Sequence, residues 1–163
     1  MSGLQDKDLF LRIDDRLIHG QVVEAWIPHL KPQAVVVVSD AAAQDDVQQS
    51  LMSIAVPASV ELLVSKVADA LAGIEAFRRQ GRRVLVLVPG PLEALALLER
   101  GLPVRSVNVG GLHHSAGKIQ VGKALFLNAA DQKALKDIAA RGVMLEGRAV
   151  PHEAPSDLSA LLG

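Results

Sequence analysis

The sequence contains no cysteine, and this absence removes several kinds of chemistry at once. Disulfide bonds, thiol catalysis and cysteine-ligated metal sites are excluded, and the composition fits a reducing compartment. Charge of either sign is not in excess, because the formal net charge is −1 at pH 7, which gives no electrostatic basis for binding nucleic acid. No loop of the form Gly-x-x-x-x-Gly-Lys-Ser/Thr occurs either, so no sequence motif indicates nucleotide binding.

Long hydrophobic runs are also absent. Runs such as Ala34–Val38 and Val84–Val88 are far too short to span a bilayer, and the polar segment Met1–Asp8 carries no hydrophobic signal core. Half of the 163 residues are nevertheless apolar, which is enough for a substantial core in a chain of this length. We therefore expect a cytoplasmic protein that folds as a single domain over residues 1–163.

Short β-branched segments alternate along the chain with segments of helical period. The candidate strands are almost continuously apolar, which is typical of strands that are covered on both faces. This alternation predicts a single three-layer α/β/α domain with a mainly parallel central sheet. The predicted strands are Leu9–Ile13, Ala34–Val38, Val60–Val64, Arg83–Val88, Ser106–Val109, Lys118–Leu127 (bent or broken at Gly122) and Val143–Val150.

Five helices are predicted between these strands, from their apolar faces and from residues that begin or end helices. The first covers Gln21–Leu30, has to kink or end at Pro28, and places Trp26 in the core. The inward face of the second helix is lined by Val47, Leu51, Ile54 and Ala55. The third helix is capped by Ser65 and ends at Gly81. The fourth helix lies between Pro91 and Gly101, and the fifth lies between Asn128 and Gly142.

One edge of the predicted sheet should collect most of the polar residues. The loops that leave the carboxyl ends of neighbouring parallel strands meet at that edge, where ligands bind in open α/β sheets. An active-site loop after the first strand is expected there. The edge comprises Asp14–Gln21, Ser39, Asp40, Pro89, Gly90, Asn108, Val109, Gly110 and Gly111.

His19 is the residue at this edge that is best suited to chemistry. A neutral imidazole is a competent nucleophile near pH 7, and phosphoryl transfer otherwise needs mainly positioning and charge neutralisation. The backbone amides of Gly20 and Gln21 could point at phosphate oxygens from the start of the following helix. Arg16 and Arg12 supply guanidinium donors for the same group.

Several of these residues also have a plain structural interpretation. A lone histidine at a helix start is most often a capping or surface group. Asp14 and Asp15 either orient the imidazole or an arginine, or cap the turn. Ser39 and Asp40 are slightly favoured as helix caps, and the segment 108–111 could be an ordinary turn.

The remaining histidines do not predict a metal site. His113 and His114 are adjacent in a loop, which makes them a poor pair of ligands without a carboxylate at helical spacing. His29 and His152 are scattered elsewhere in the chain. We therefore expect no bound metal.

The decapeptide Arg-Ile-Asp-Asp-Arg-Leu-Ile-His-Gly-Gln at positions 12–21 resembles the signature of enzyme IIB of the mannose/fructose/sorbose class of the bacterial sugar phosphotransferase system. The segments 35–40, 106–111 and 117–121 also resemble stretches that this family carries in the same order. The resemblance implies that His19 accepts a phosphoryl group at Nδ1 from the phosphohistidine of a separate enzyme IIA. His19 then donates it to a sugar that is bound by the membrane enzymes IIC and IID, without a metal or organic cofactor.

The activity implied by this resemblance is that of a protein-Nπ-phosphohistidine–sugar phosphotransferase, peripherally associated with its membrane transporter. One segment departs from the family pattern, because positions 112–115 read Leu-His-His-Ser where relatives often carry a basic residue. His113 or His114 could substitute for it. Two other hypotheses stay open: a regulatory phosphorelay protein that uses the same His19 without sugar transport, and a non-enzymatic module that binds a small ligand.

Overall fold

The computed structural model describes residues 8–162, and a large β-sheet forms its centre. Most of the expected polar segment Met1–Asp8 therefore lies outside the described residues. The strands are β1 Leu9–Ile13, β2 Ala34–Val38, β3 Glu61–Ser65, β4 Val84–Val88, β5 Ser106–Val109, β6 Ile119–Gly122, β7 Leu125–Leu127, β8 Met144–Gly147 and β9 Ser156–Asp157.

The central sheet has seven strands in the order β3-β2-β4-β1-β5-β8-β9. Every neighbouring pair is parallel except β8 and β9, which confirms the prediction of a mainly parallel sheet. The strands β6 and β7 form a separate antiparallel pair, so the predicted segment 118–127 is broken after Gly122. The site loop leaves β1 near the middle of the large sheet, between β4 and β5.

The helical segments flank the sheet on both sides. A π-helix, Val22–Trp26, runs directly into the first α-helix. The α-helices are α1 Ile27–Leu30, α2 Asp40–Ala43, α3 Asp46–Ala55, α4 Val67–Arg79, α5 Pro91–Glu99 and α6 Ala129–Ala140, and a 3₁₀ helix covers Leu158–Leu161.

Two hydrophobic clusters, one on each face of the sheet, establish the three-layer arrangement. Side chains alternate across a strand, so Leu11 in β1 packs with Ile74 and the rest of the cluster that α4, α5 and α6 cover. Its neighbour Phe10 points to the opposite face, where Trp26 and Met52 belong to the other cluster. The predicted three-layer α/β/α class is therefore confirmed, and Trp26 is fully buried as expected.

Most of the predicted helix ends are also confirmed. Gly81, Gly101 and Gly142 follow α4, α5 and α6 with φ angles of 76°, 102° and 81°, a left-handed conformation that favours glycine. Pro91 lies at the start of α5, where its missing N–H costs no helical hydrogen bond. The side chain of Asn128 caps α6 by accepting a 2.7 Å hydrogen bond from the Asp131 amide.

The prediction for the inward face of α3 was wrong. Val47, Leu51 and Ile54 are 71%, 63% and 81% exposed, and Ala55 is exposed as well. The helix packs against the sheet through Met52, and Val56 just after it is also buried. Apolar residues occupy two faces of this short helix, and periodicity alone does not say which of them meets the sheet.

The predicted cap of α4 was also wrong. Ser65 stays in β3, and its hydroxyl donates to the carbonyl oxygen of Lys66 at 2.9 Å. The first amide of α4, at Val67, donates instead to Asp40 Oδ1 at 2.9 Å. The cap therefore comes from the first residue of α2, which is distant in sequence from the start of α4.

Candidate active site

The segment after β1 forms a tight turn that is fixed to both neighbouring strands. The Asp14 amide donates to the carbonyl of Val88 at the end of β4, and the Asp15 amide donates to Gly111 after β5, both at 3.0 Å. Leu17 adopts a left-handed conformation with φ of 58°, which is uncommon for a residue with a side chain. A helix begins at Gly20, and His19 lies directly before it at the carboxyl edge of the sheet.

Asp14 is the centre of the site. Its side chain is completely buried, and its carboxylate accepts hydrogen bonds from His19 Nε2 at 3.1 Å and from Arg16 Nε and Nη2 at 3.0 Å. Burial alone would raise the pKa of the Asp14 carboxyl, but the hydrogen bonds from His19 and Arg16 outweigh it and hold the pKa well below its usual range. Asp14 is therefore an anion whose oxygens can only accept.

This anion determines which nitrogen of His19 carries the proton in the neutral ring. Nε2 faces a carboxylate oxygen, so Nε2 is the protonated nitrogen and donates to Asp14. Nδ1 then holds the free lone pair, and no hydrogen-bond partner occupies it within residues 8–162. The His19 side chain is 14% exposed, so the ring is partly accessible from solvent.

Arg12 supports Asp14 from beneath. It is fully buried, and its Nη2 donates to Asp14 Oδ2 and to the carbonyl of Ala149, both at 3.1 Å. Its Nη1 donates to Asn108 and to the carbonyl of Arg148. Burial lowers the pKa of Arg12 to about 10 despite the charge of Asp14, so the guanidinium stays charged at neutral pH. Its position suits an anchor for Asp14, because its Nη atoms are already engaged below the surface.

A polar row extends this support across three strands. Arg12, Asn108 and Glu146 are register partners on β1, β5 and β8, and Asn108 Nδ2 donates to Glu146 Oε1 at 3.1 Å. Arg148 donates to the same oxygen at 3.1 Å. Trp26 closes the arrangement, because its Nε1 donates to Ala149 at 2.8 Å and its ring centroid lies 4.8 Å from the Arg12 guanidinium.

Sequence reasoning missed Glu146 and Arg148. A signal was available for Glu146, since a carboxylate inside an apolar strand requires a buried partner. The expected strand 143–150 also ends early, because β8 stops at Gly147 and the carbonyls of residues 148 and 149 turn to Arg12. This turn gives the C-terminal segment a part in positioning Asp14.

Asp15 makes a different connection from its neighbour. Its Oδ2 accepts from the backbone amide of His113 at 2.7 Å, and its Oδ1 lies 2.6 Å from His113 Nδ1. Asp15 therefore ties the first loop to the loop after β5. Gly110, in the loop after β5, packs closely against the first loop, because an added Cβ there would be only 2.6 Å from Asp14 Oδ2.

The remaining predicted residues fall into two groups. Gln21 belongs to the site, because its Oε1 accepts from Arg16 Nη2 at 2.9 Å, and Gly20 is exposed beside His19 with open space around it. Ser39 and Asp40 act as caps: Ser39 accepts from the Ala42 amide at 3.1 Å, and Asp40 accepts from Val67. Their capping bonds do not reach the loop that carries His19.

The adjacent histidines of the second loop are directed to separate partners. His113 faces Asp15, whereas the His114 ring meets Phe126 edge-on with centroids 5.4 Å apart. Across residues 8–162, no group of three or more histidine, aspartate or glutamate side chains converges on a potential metal position. None of the helices in the same range is long and apolar enough to cross a membrane.

Comparison with known proteins identifies the family to which this three-layer domain belongs. The family model of the sorbose subfamily IIB component of the PTS, the sugar phosphotransferase system, matches residues 9–163. The chain belongs to this family, within the class that includes mannose and fructose components.

Individual relatives agree with this assignment. The chain is 32% identical to the fructose-specific EIIB component of Bacillus subtilis over 93% of both chains. It is 39% identical to the mannose-specific EIIAB component of Escherichia coli K12 over 85% of this chain, but over only 43% of that longer protein. The crystal structure of the IIBSor domain of the sorbose permease from Klebsiella pneumoniae superposes with a TM-score of 0.89, at 28% identity over 95% of this chain and 96% of that one.

Proposed function

We propose that His19 accepts a phosphoryl group on Nδ1 from the phosphohistidine of an enzyme IIA and passes it to a sugar during uptake. The observation that carries this proposal is the 3.1 Å hydrogen bond between His19 Nε2 and the buried Asp14. It holds the proton on Nε2 and leaves the Nδ1 lone pair free to attack phosphorus. When the N–P bond forms, the ring becomes more positive, and the Asp14 carboxylate stabilises that charge.

Arg16 is the group best placed to neutralise the phosphoryl oxygens. Its Nε and Nη2 are held by Asp14, whereas its Nη1 has no hydrogen-bond partner within residues 8–162. The side chain is 36% exposed, so this free donor is accessible beside His19. Asp14 thus aligns the nucleophile and the cation through one carboxylate, and Arg12 keeps that carboxylate in place from below.

The proposed partners rest on the family relationship. The mannose-specific relative is named an EIIAB component, which combines EIIA with EIIB and supports an enzyme IIA as the phosphoryl donor. The remaining partners would be the membrane enzymes IIC and IID, at whose cytoplasmic face this domain would act. Relatives named for fructose, sorbose, mannose and N-acetylgalactosamine share this domain, which supports selection of the sugar elsewhere in the transporter.

Phosphotransfer in vitro tests the proposal directly. The full chain is mixed with phosphoenolpyruvate, enzyme I, the histidine phosphocarrier and a cognate enzyme IIA, and its intact mass is measured. One acid-labile phosphate should be added, and His19→Ala should abolish the addition without loss of the fold. Arg16→Ala should slow it about tenfold, because charge stabilisation is lost. No adduct in the presence of phosphorylated donor, or an adduct that persists in His19→Ala, would refute the assignment.

A second assay separates sugar transport from a regulatory relay. Membrane vesicles that contain IIC and IID are added to the phosphorylated protein together with a candidate sugar. Disappearance of the phosphate from the protein with formation of sugar phosphate supports the transport function. Stable phosphoprotein with all sugars tested would favour the regulatory alternative.

A further inference from the structure

Asp15 and His113 form a second carboxylate–imidazole pair at the same edge of the sheet. The 2.6 Å separation between Asp15 Oδ1 and His113 Nδ1 places a proton on Nδ1, because the carboxylate oxygen can only accept. The second oxygen of Asp15, Oδ2, accepts a hydrogen bond from the backbone amide of His113 at 2.7 Å. His113 is therefore held at two points, one on its ring and one on its backbone, and its Nε2 has no partner within residues 8–162.

Gly111 separates this ring from the guanidinium of Arg16. A Cβ atom added to Gly111 would lie 3.1 Å from His113 Cε1 and 3.4 Å from Arg16 Nη2. The imidazole and the guanidinium therefore border one narrow space at Gly111, which is too tight for a Cβ atom unless these side chains shift. The same Arg16 nitrogen donates to Asp14, which in turn holds His19.

We propose that His113 is a further residue that contacts the phosphoryl group carried by His19. The inference rests on the proposed function of His19. As the phosphoryl dianion arrives, His113 Nε2 takes up one proton from solvent and donates a hydrogen bond to a phosphoryl oxygen. The charge of the resulting imidazolium is balanced by Asp15, and His113 itself neither forms nor breaks a bond to phosphorus.

The second loop is rigid enough for this role. The Gly110 amide donates to the carbonyl of Ile13 at 2.8 Å, and the Asp15 amide donates to that of Gly111 at 3.0 Å. These bonds, together with the two bonds from Asp15 to His113, lock the second loop to the first. The His113 side chain is still 53% exposed, which leaves its free nitrogen open to a group at the surface.

His114 provides a matched control. It is the next residue, it carries the same side chain, and its ring packs edge-on against Phe126 away from Asp15. The substitutions His113→Asn and His114→Asn therefore remove the same chemical group from the same loop. Only the first removes a ring that borders the space beside Arg16.

The test compares the wild type with both variants, each as the full chain phosphorylated by enzyme IIA. We expect His113→Asn to slow transfer about tenfold, equivalent to ~1.4 kcal/mol, and to shift the ³¹P resonance of the phosphohistidine. His114→Asn should change neither quantity. Because Asp15 acts through His113, the double variant Asp15→Asn/His113→Asn should transfer no more slowly than His113→Asn alone.

Each outcome has a separate meaning. Equal rates and equal ³¹P shifts in the two histidine variants, with His19 normally labelled, would overturn the role of His113 and leave the proposed function intact. A wild-type protein that takes up no phosphate would overturn both. A slower His113→Asn with an unchanged ³¹P resonance would also contradict the contact, since a purely structural role predicts that result.

Discussion

The neighbouring aspartates Asp14 and Asp15 each hold a histidine, but in opposite settings. Asp14 binds Nε2 of His19, has no exposed surface and is surrounded by Arg12 and Arg16. Asp15 binds Nδ1 of His113, and its side chain is 28% exposed. The comparison teaches that the same pair of residue types can either orient a partly buried imidazole or fasten two surface loops together.

The energetic difference follows from solvent. A buried ion that loses its partners leaves other charges uncompensated, which typically costs about 3–5 kcal/mol. An exposed pair is screened by water and usually contributes only about 0–1 kcal/mol. Asp14 should therefore matter for both stability and the proposed phosphotransfer, whereas Asp15 should matter mainly through the position of His113.

The largest expected effect is that of Asp14→Asn. An amide cannot accept from every donor around this position, and its NH₂ group can favour the wrong tautomer of His19. We expect phosphotransfer to fall by about 10²-fold or more, and the free energy of unfolding to fall by about 3–5 kcal/mol. Quenched-flow transfer assays and urea denaturation measure the two quantities.

Asp15→Asn is the matched change at the neighbouring position. It should lower the free energy of unfolding by no more than about 1 kcal/mol and should slow transfer only to the extent that His113→Asn does. If both aspartate variants lost the same amount of stability and rate, the distinction between the buried and the exposed pair would be wrong.

The contrast also explains which features of the fold and the site could be predicted from the sequence. The sheet, most helix ends and the edge that carries His19 follow from local patterns, because apolar runs, glycines and prolines act over a few residues. The partners of Asp14 are close in sequence, so their involvement was predictable. The support by Glu146 was not predicted, since it depends on strand order and register, which bring β1, β5 and β8 together.

The errors have the same origin. The pairing of Asp15 with His113 joins residues 98 positions apart, and Asp40 caps a helix 27 residues later. Short sequence windows contain no information about such contacts. The exposed apolar face of α3 was mispredicted because amphipathic periodicity identifies a face but not its partner.

The adjacent glycines Gly110 and Gly111 provide a second test of the difference between the buried Asp14 and the partly exposed Asp15. A Cβ at Gly110 would collide with the buried Arg12 and Asp14 side chains, neither of which has room to move. We expect Gly110→Ala to lower the free energy of unfolding by about 2–3 kcal/mol, as overpacking in a core does. Its effect on phosphate uptake should resemble that of Asp14→Asn, and urea denaturation with intact-mass assays tests both expectations.

Gly111→Ala is the control for that change. Its Cβ would meet only the ends of the His113 and Arg16 side chains, which are partly exposed and can shift. Stability should change by less than about 1 kcal/mol, while transfer slows because the space between the two side chains is filled. A greater loss of stability for Gly111→Ala than for Gly110→Ala would contradict the finding that the surroundings of Gly110 are more deeply buried than those of Gly111.

The smallest expected effect comes from the partly buried carboxylate of Glu93. Burial raises the pKa of Glu93 in the first turn of α5, and the charges of Asp131 and Asp40 raise it further. The pKa of Glu93 in the folded protein thus exceeds its unfolded value of about 4.3. The stability that this difference contributes is present below that pH and is lost as pH rises through the folded pKa. Asp14 has the opposite sign, since its contribution is lost as pH falls below about 3.9.

Removing the Glu93 charge should therefore stabilise the protein at neutral pH. We expect Glu93→Gln to raise the Tm at pH 7 by no more than about 2 °C, because solvent screens a group that is only half-buried. The gain should disappear at pH 3.5, where the wild-type carboxyl is already protonated. Glu75→Gln, at an exposed carboxylate on α4, should leave the Tm unchanged at both pH values. A gain for Glu93→Gln that persisted at pH 3.5 would mean that packing, rather than the buried charge, separates Glu93 from Asp14.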